Sequence, residues 1–293
     1  MTTTTAPTAA VSRRKPIDRR RAAARRRGFA TFRFAAIVAV CVAFAFPIIW
    51  LFLAAFKRGV DIYSPDKTFV FTPTLDNFGA VFGEANFLPF FVNSFIVGVV
   101  STLLSLLIGL PAAYAMSRFR MGKYAAVVLL ARVVPSISLI VPWYFIFVKL
   151  GFTGGYAPLI LSHMFLSVPL IIWILISFFD GLPEDLEEQA QVDGLTPIGA
   201  FLRISVPLSV PGITTAGILA LIFSWNTFLF SLILSGSNTK TLPVAIFNFI
   251  GYASIDWGGL MAASAAITVP IIVIAIIFQR YVVSGLTAGA TKG

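Results

Sequence analysis

The chain has 293 residues, of which 58% are hydrophobic and only 12% are charged, and its mean hydropathy is +0.92. Soluble domains carry about 25% charged residues, so this composition excludes an ordinary soluble enzyme and indicates a polytopic membrane protein. The net charge is +10, and the single cysteine, Cys41, excludes an internal disulfide and a cysteine-based metal cluster.

The amino-terminal segment concentrates positive charge. Ten of the 22 basic residues fall within residues 13–33, directly before the first apolar stretch. Basic residues at that position set the orientation of a membrane protein and bind anionic lipid, which fits this context better than a nucleic-acid-binding arm. We predict that residues 1–33 form a disordered, uncleaved cytoplasmic tail and that residues 34–293 form the transmembrane domain.

Six apolar stretches are long enough to cross a bilayer, since a spanning helix needs about 20 mainly apolar residues. With the amino terminus inside, the predicted cytoplasmic segments hold sixteen basic residues and the outer segments hold five, an asymmetry typical of that orientation. The sequence therefore predicts an all-α, polytopic protein with six transmembrane helices and both termini in the cytoplasm. The predicted spans are residues 34–56, 91–116, 124–150, 158–179, 212–234 and 260–281.

Several polar residues near or within these spans are candidates for a hydrophilic translocation pathway. They are Asn93 at the start of the second span and Ser224, Trp225 and Asn226 in the fifth. An amide inside a membrane must be hydrogen-bonded, so bonds between helices explain these residues equally well.

Two further residues have open roles. Arg132 lies about eight residues inside the third predicted span, or roughly 12 Å along a helix. Three roles are open for Arg132. Its side chain can extend to the membrane surface, pair with another group, or line the pathway or its gate. The only histidine, His163, is interpreted as a hydrogen-bonded packing residue of the fourth span rather than a pathway residue.

The connection between the fourth and fifth spans, about residues 182–211, is unusually acidic and lies on the predicted cytoplasmic side. Six of the chain's twelve carboxylates fall within residues 180–193. Pro183, followed by carboxylates, predicts a helix start, and Gly194 predicts a left-handed stop. Thr196 and Pro197 then predict the capped start of a second short helix.

The same connection carries apolar side chains that a solvated loop does not need. They indicate either a docking site for a cytoplasmic partner, which we favour, or a capped loop packed on its own helix bundle. The apolar side chains are those of Leu186, Ala190, Leu195, Ile198, Phe201 and Leu202.

The segment EQAQVDGLTPIGAFLRISVP, residues 188–207, resembles the EAA loop of bacterial ATP-binding-cassette (ABC) importer permeases. Gln189 and Val206 depart mildly from the family pattern. The segments LPEDLEEQAQVDG, SWNTFLFSL and FQRYVVSGLTAGATKG resemble carbohydrate-uptake permeases, in particular the MalG-like kind of the maltose system. The residues that match the family's E-A-A, Gly and I-x-L-P positions are Glu188, Ala190, Gly194, Ile204 and Pro207.

The resemblance implies a type I ABC importer permease fold in a bacterial inner membrane, with alternating access for a di- or oligosaccharide or a polyol. It implies a second, homologous permease, two copies of a cytoplasmic ATPase and an external sugar-binding protein as partners. The sequence has no phosphate-binding loop, so ATP and Mg would bind to the ATPase subunits, and we expect no cofactor, metal site or catalytic residue in this chain. The ATPase-docking residues it implies are Glu187, Glu188, Ala190, Asp193, Gly194, Ile204 and Pro207.

Three other functions remain as alternatives. An ion-coupled secondary transporter would typically carry acidic residues inside its spans, and the predicted spans have none. A membrane anchor or assembly factor would explain the apolar helices but not the spacing in the loop. An ABC permease for a solute other than sugar would share the loop.

Overall fold

The computed structural model describes residues 19–251 and 254–288, and these residues are almost entirely helical. Outside the helices, their β pairing is limited to isolated bridges. The predicted all-α class is therefore confirmed. In chain order the α-helices are α1 (Arg19–Ala55), α2 (Gly59–Ile62), α3 (Asp76–Gly79), α4 (Leu88–Arg118), α5 (Gly122–Leu130), α6 (Ser136–Lys149), α7 (Tyr156–Phe179), α8 (Asp185–Val192), α9 (Pro197–Ala200), α10 (Val206–Leu208), α11 (Val210–Trp225), α12 (Leu229–Leu234), α13 (Leu242–Ala245) and α14 (Trp257–Ala288). Single turns of 3-10 helix lie at Pro65–Lys67 and Ile246–Phe249, and turns of π-helix lie at Ala80–Glu84 and Phe201–Ser205.

Helix α1 corrects the prediction for the basic segment. It begins at Arg19, so residues 19–33 are helical rather than disordered, and residues 1–18 lie outside the described residues. Arginine and alanine are among the strongest helix formers, so this segment continues the apolar helix toward the amino terminus. The chain divides into two compact units, of which the first ends at Trp50 and the second begins at Leu51.

Four described helices are long and apolar enough to cross a membrane by themselves: Phe29–Ala55, Leu88–Arg118, Tyr156–Phe179 and Trp257–Arg280. A fifth candidate is the pair Pro197–Leu208 and Val210–Trp225, which is bent by 74°. The total of six spans and the side on which the termini lie stay predictions.

Two of the predicted spans are broken. The third is divided into α5 and α6 by residues 131–135, and the fifth is divided into α11 and α12 by residues 226–228. Pro135 accounts for the first break, because a proline cannot donate a backbone hydrogen bond and disfavours the helical conformation of the residue before it.

Helices α4 and α7 form the central packing of the second unit. Without a hydrophobic driving force between helices in lipid, close packing depends on small side chains, and α4 buries a row of them at intervals of three or four residues. Ile171 of α7 packs directly against Gly109 of this row. The row comprises Ser94, Gly98, Ser101, Ser105, Gly109, Ala113 and Ser117.

The two helices run parallel, which gives the bundle two distinct ends. At one end Tyr156, the first residue of α7, donates a hydrogen bond of 2.7 Å to the amide oxygen of Asn93 near the start of α4. At the other end Arg118, the last residue of α4, donates a bond of 3.2 Å to the carbonyl of Phe179. The acidic connection of residues 182–211 follows directly at this second end.

Candidate docking loop and translocation residues

The acidic connection folds as two short helical segments separated by a turn. Helix α8 begins at Asp185, so Pro183 precedes the helix and does not occupy its first position as the sequence predicts. Gly194 has a φ of +98°, the left-handed stop that the sequence predicts. Thr196 caps the next helix by accepting a 3.1 Å hydrogen bond from the Gly199 amide, with Pro197 in the first turn.

Glu187 on α8 joins this loop to the end of α4. Its Oε1 accepts hydrogen bonds from Nε and Nη2 of Arg118, at 3.0 Å and 2.6 Å, and from the hydroxyl of Ser205 at 2.6 Å. Its Oε2 accepts a bond of 2.6 Å from the hydroxyl of Tyr114. The carboxylate therefore bonds to two different parts of the structure. One is helix α4, and the other is the π-helical turn Phe201–Ser205 in the second half of the loop. We call Tyr114, Arg118, Glu187 and Ser205 the anchor cluster.

Glu187 and Ser205 of the anchor cluster are buried, Tyr114 and Arg118 are half-buried, and the Glu187 carboxylate stays ionised. The side chains of Arg118 and Glu187 are only 11% and 8% exposed. Burial alone would raise the pKa of Glu187, but the hydrogen bonds from Arg118, Ser205 and Tyr114 and the charge of Arg118 outweigh it, so the pKa is lowered. A buried charge with this many donors is satisfied within the chain itself.

Two further hydrogen bonds hold the start of the acidic connection against the end of α4. The Ser117 hydroxyl donates a 2.5 Å hydrogen bond to the carboxylate of Asp180, directly after α7. Nη1 of Arg118 also donates to the carbonyl of Leu182, at 3.4 Å. The entry to the loop and its first helix are therefore both fixed to the end of α4.

The opposite side of α8 is open and acidic. Glu188 and Asp193 are exposed, and together with Asp185, Gln189 and Val192 they line a shallow depression of about 440 Å³. Three carboxylates in one depression suit a basic surface on another protein. No described residue of this chain donates a side-chain hydrogen bond to the Glu188 carboxylate.

Exposed apolar side chains begin in this depression with Val192 and continue along the loop. Val192, Ile198 and Leu202 are 88%, 72% and 56% exposed. Exposed apolar groups beside charged ones are typical of an interaction surface rather than of a solvated connector. We call Glu188, Val192, Ile198 and Leu202 the outer face of the loop.

The remaining predicted docking residues divide between the inside and the outside of the loop. Ala190 is buried and faces the bundle, so it permits close packing of α8 on its own chain. Ile204 is half-buried, whereas Gly194 and Pro207 are exposed. Glu187, in the anchor cluster, is buried as well, so the loop carries an inward-facing set and an outward-facing set.

Among the predicted pathway residues, Asn93 is buried in a structural network. Its side-chain nitrogen donates to the carbonyls of Asn238 and Lys240, each at 2.9 Å, and its oxygen accepts from Tyr156. These bonds tie α4 to α7 and to the segment before α13. The hydrogen-bonding interpretation of Asn93 therefore accounts for every polar atom of its amide.

Ser224 and Trp225 are also buried between helices. The Ser224 hydroxyl lies 2.7 Å from Nδ1 of His163 and 3.2 Å from the hydroxyl of Ser101. Trp225 donates from its indole nitrogen to the carbonyl of Ile267 at 3.3 Å. Both residues hold α11 against its neighbours. His163 is buried and hydrogen-bonded through Nδ1, and its packing role stays a prediction.

Asn226 differs from the other three pathway candidates because it is exposed. It lies at the carboxyl end of α11, where the predicted fifth span breaks, and donates back to the carbonyl of Ile222 at 2.8 Å. Its amide oxygen accepts no hydrogen bond from the residues that the structure describes. Asn226 is therefore the one candidate of the four whose side chain is exposed on the surface of this chain.

Sequence reasoning missed three members of the anchor cluster, Tyr114, Arg118 and Ser205. One signal for them was present: Glu187 lies three residues before Ala190, and residues three apart share a helix face. An acid on the face that the loop buries requires a cation from elsewhere in the chain. Arg118, just after the second predicted span, was one of the basic residues on the same predicted side of the membrane.

Comparison with known proteins identifies the family of this chain. The family of binding-protein-dependent transport system inner membrane components matches residues 105–288, more than half of the chain. This chain belongs to that family, and it is a multi-pass protein of the bacterial inner-membrane type.

Individual relatives match over nearly the whole chain. The sulfoquinovosyl glycerol transport permease SmoH of Agrobacterium fabrum is 38% identical, over 89% of this chain and 93% of its own length. The trehalose transport permease SugB of Mycobacterium tuberculosis is 38% identical, over 84% of this chain and 92% of its own length. A bacterial ABC transporter involved in the import of the acidic polysaccharide alginate has the same fold, with a TM-score of 0.71 at 19% identity over 94% of this chain and 99% of that one.

Proposed function

We propose that this chain is the permease subunit of an ABC importer for a carbohydrate and forms half of the translocation pathway. The observation that carries the proposal is the two-sided loop of residues 182–211. One side is fixed to α4 through Glu187, and the other presents exposed apolar and acidic side chains with no partner in the chain described. A loop of this design transmits force from a separate protein into the bundle.

The anchor cluster gives the route of that force. A movement of the outer face carries α8 with it, and Glu187 passes the movement to Arg118 at the end of α4. Because α4 packs closely along α7, both helices move together as the ATPase subunits close and open. Such a rigid coupling favours rocking of the bundle between inward and outward access as ligands shift the two populations.

The similar proteins support a carbohydrate as the substrate. SmoH is named for sulfoquinovosyl glycerol, SugB for trehalose, and the transporter of similar fold for alginate. We extend their shared substrate class, a glycoside or glycan, to this chain. We also infer a homologous second permease, two ATPase subunits that bind ATP and Mg, and an external binding protein that delivers the sugar.

The docking half of the proposal is tested by purifying the tagged chain with its partners and counting the ATPase subunits retained. We expect two ATPase copies and one second permease with the unaltered chain. The Val192→Glu variant should lose most of the ATPase, because it places a charge in the apolar part of the outer face. The second permease should remain bound.

A matched control is Val70→Glu, since Val70 is 83% exposed and lies in the segment between α2 and α3. This variant should retain the ATPase fully. Equal ATPase retention by Val192→Glu and Val70→Glu would contradict the assignment of the outer face. Mass spectrometry of the ligand in the co-purified binding protein tests the carbohydrate half, and an amino acid or metal ion found there would refute it.

A further inference from the structure

Arg132 lies at the break in the third predicted span, between α5 and α6. Its side chain is exposed, and its guanidinium carbon lies 5.8 Å from the centre of the Phe223 ring. It forms no salt bridge with any residue that the structure describes. A cation on an aromatic ring is a favourable contact, but it leaves the guanidinium N–H groups free to donate.

Phe223 connects this break with the break in the fifth predicted span. It lies in the last turn of α11, three residues before Asn226, and residues three apart lie on one side of a helix. Phe223 is 51% exposed and Asn226 is exposed as well. The contact between Arg132 and Phe223 therefore brings two interrupted helices, one cation, one aromatic ring and one amide to a common surface.

Such a surface is more stable against water or protein than against lipid. A guanidinium and non-helical backbone are stable within a bilayer only where they face water or another protein. Residues 88–179 and 194–255 contain no aspartate or glutamate, so the spans that surround Arg132 offer it no carboxylate. Its guanidinium N–H groups can therefore bind acceptors that come from outside this chain.

We propose that Arg132 and Phe223 line the translocation pathway and contact the saccharide as it passes. This inference rests on the proposed function. Saccharides are rich in oxygen acceptors, which the guanidinium can bind with up to five N–H groups. An aromatic ring beside it provides the apolar surface that ligand sites combine with a few directed polar groups. Asn226 extends the same surface by one helical turn.

Accessibility to water tests the pathway assignment in the assembled complex. In a Cys41→Ser background, Arg132→Cys is compared with Val127→Cys, an exposed apolar position on α5 before the break. We expect a membrane-impermeant methanethiosulfonate reagent to modify this chain about tenfold faster in the Arg132→Cys variant, because thiols react as thiolates and need water. Equal, slow modification of the two variants would overturn the proposal, even if the ATPase subunits co-purify normally.

Transport by reconstituted complexes tests the contact with substrate. Trehalose serves as the neutral probe and sulfoquinovosyl glycerol as the anionic probe, each supplied with the binding protein. We expect Arg132→Gln to lower sugar uptake per ATP hydrolysed about tenfold, the loss of roughly one charge-assisted hydrogen bond. Arg132→Lys should restore part of the uptake because it keeps the charge. If Arg132→Gln lowers the uptake of both probes, the arginine contacts sugar hydroxyls. If it lowers the uptake of the anionic probe alone, the arginine contacts the charged group of that probe.

The control for this measurement is Arg120→Gln, an exposed arginine just after α4, which should leave uptake per ATP unchanged. If Arg132→Gln instead dissociates the second permease, the arginine pairs with a carboxylate of that subunit and the proposal is wrong. Unchanged uptake per ATP in Arg132→Gln would also overturn it. Neither result bears on the docking loop, whose test is ATPase retention.

Discussion

At the scale of single residues, Glu187 and Glu188 show how two neighbouring acids take opposite roles. Glu187 turns toward the bundle and accepts four hydrogen bonds from Arg118, Ser205 and Tyr114. Glu188, one residue and about 100° further around the helix, faces away from the bundle. The family pattern gives its glutamate position to Glu188, yet the residue that fixes the loop to the chain is Glu187.

We expect Glu187→Ala to destabilise the purified protein. The substitution leaves Arg118 buried without its counter-charge, and removing one partner of a buried ion pair costs roughly 3–5 kcal/mol. The measurement is the Tm of the purified chain in detergent without the ATPase subunits, so that docking does not contribute. Glu188→Ala is the matched control and should leave the Tm unchanged, because its carboxylate is exposed. A Tm that falls equally in both variants would mean that the loss arises from helix α8 as a whole.

The lowered pKa of Glu187 predicts how stability depends on pH. A carboxylate whose pKa is lower in the folded protein binds fewer protons there than in the unfolded protein, so its contribution is complete above the ordinary value of 4.5. The contribution is lost as the pH falls below 4.5 through the lowered pKa of the folded state. The Tm difference between the unaltered chain and Glu187→Gln should therefore be constant near neutrality and shrink below pH 4.5. A difference that grows on acidification would contradict this assignment.

At the scale of helices, the pairing of α4 with α7 depends on the small residues of α4. A Cβ atom added at Gly109 would lie 2.7 Å from Cγ2 of Ile171, which is fully buried. We expect Gly109→Ala to cost about 1–3 kcal/mol, the usual effect of overpacking a buried contact. Gly122→Ala is the control, because a Cβ at Gly122 meets no atom within 4 Å. The check is the Tm of both variants, and a Gly109→Ala variant as stable as Gly122→Ala would show that the two helices separate easily.

Individual helices differ in how far the sequence predicts them. The turn at Gly194 and the cap at Thr196 follow from local chemistry, and the structure has both. The third span was predicted as continuous over residues 124–150, with Pro135 as a possible kink, but the structure interrupts it at residues 131–135. A hydropathy plot shows only how long and how apolar a stretch is. An interrupted helix can be as long and as apolar as a continuous one, so hydropathy alone cannot distinguish the two.

The contacts of the candidate site were less predictable than its helices. The bond between Arg118 and Glu187 joins residues 69 positions apart, and no local pattern encodes such a pair. The same holds for Ser224 and His163, which the sequence placed in different spans without relating them. Pairings of this kind depend on how helices pack in three dimensions, which one sequence constrains only through the types of residue it makes available.

At the scale of the whole molecule, the described contacts form one continuous path between the two ends of the bundle. The outer face of the loop leads through Glu187 to α4, and α4 reaches Asn93, whose amide holds the segment at residues 238–240 at the other end. We therefore expect a movement imposed at the loop to be carried along α4 to the opposite end. This arrangement suits a permease whose outer opening must follow events at a cytoplasmic motor.

The last prediction concerns the source of energy. The spans offer no acidic residue that could couple sugar to an ion gradient, and the chain has no phosphate-binding loop for ATP. In proteoliposomes, we expect sugar uptake only when the ATPase subunits, ATP and the binding protein are all present. A proton or sodium gradient across liposomes that hold the permeases alone should drive none. Uptake by the permeases alone under an ion gradient would replace the importer with a secondary transporter, whereas uptake that requires ATP but survives Val192→Glu would keep the importer and move its docking site away from the outer face.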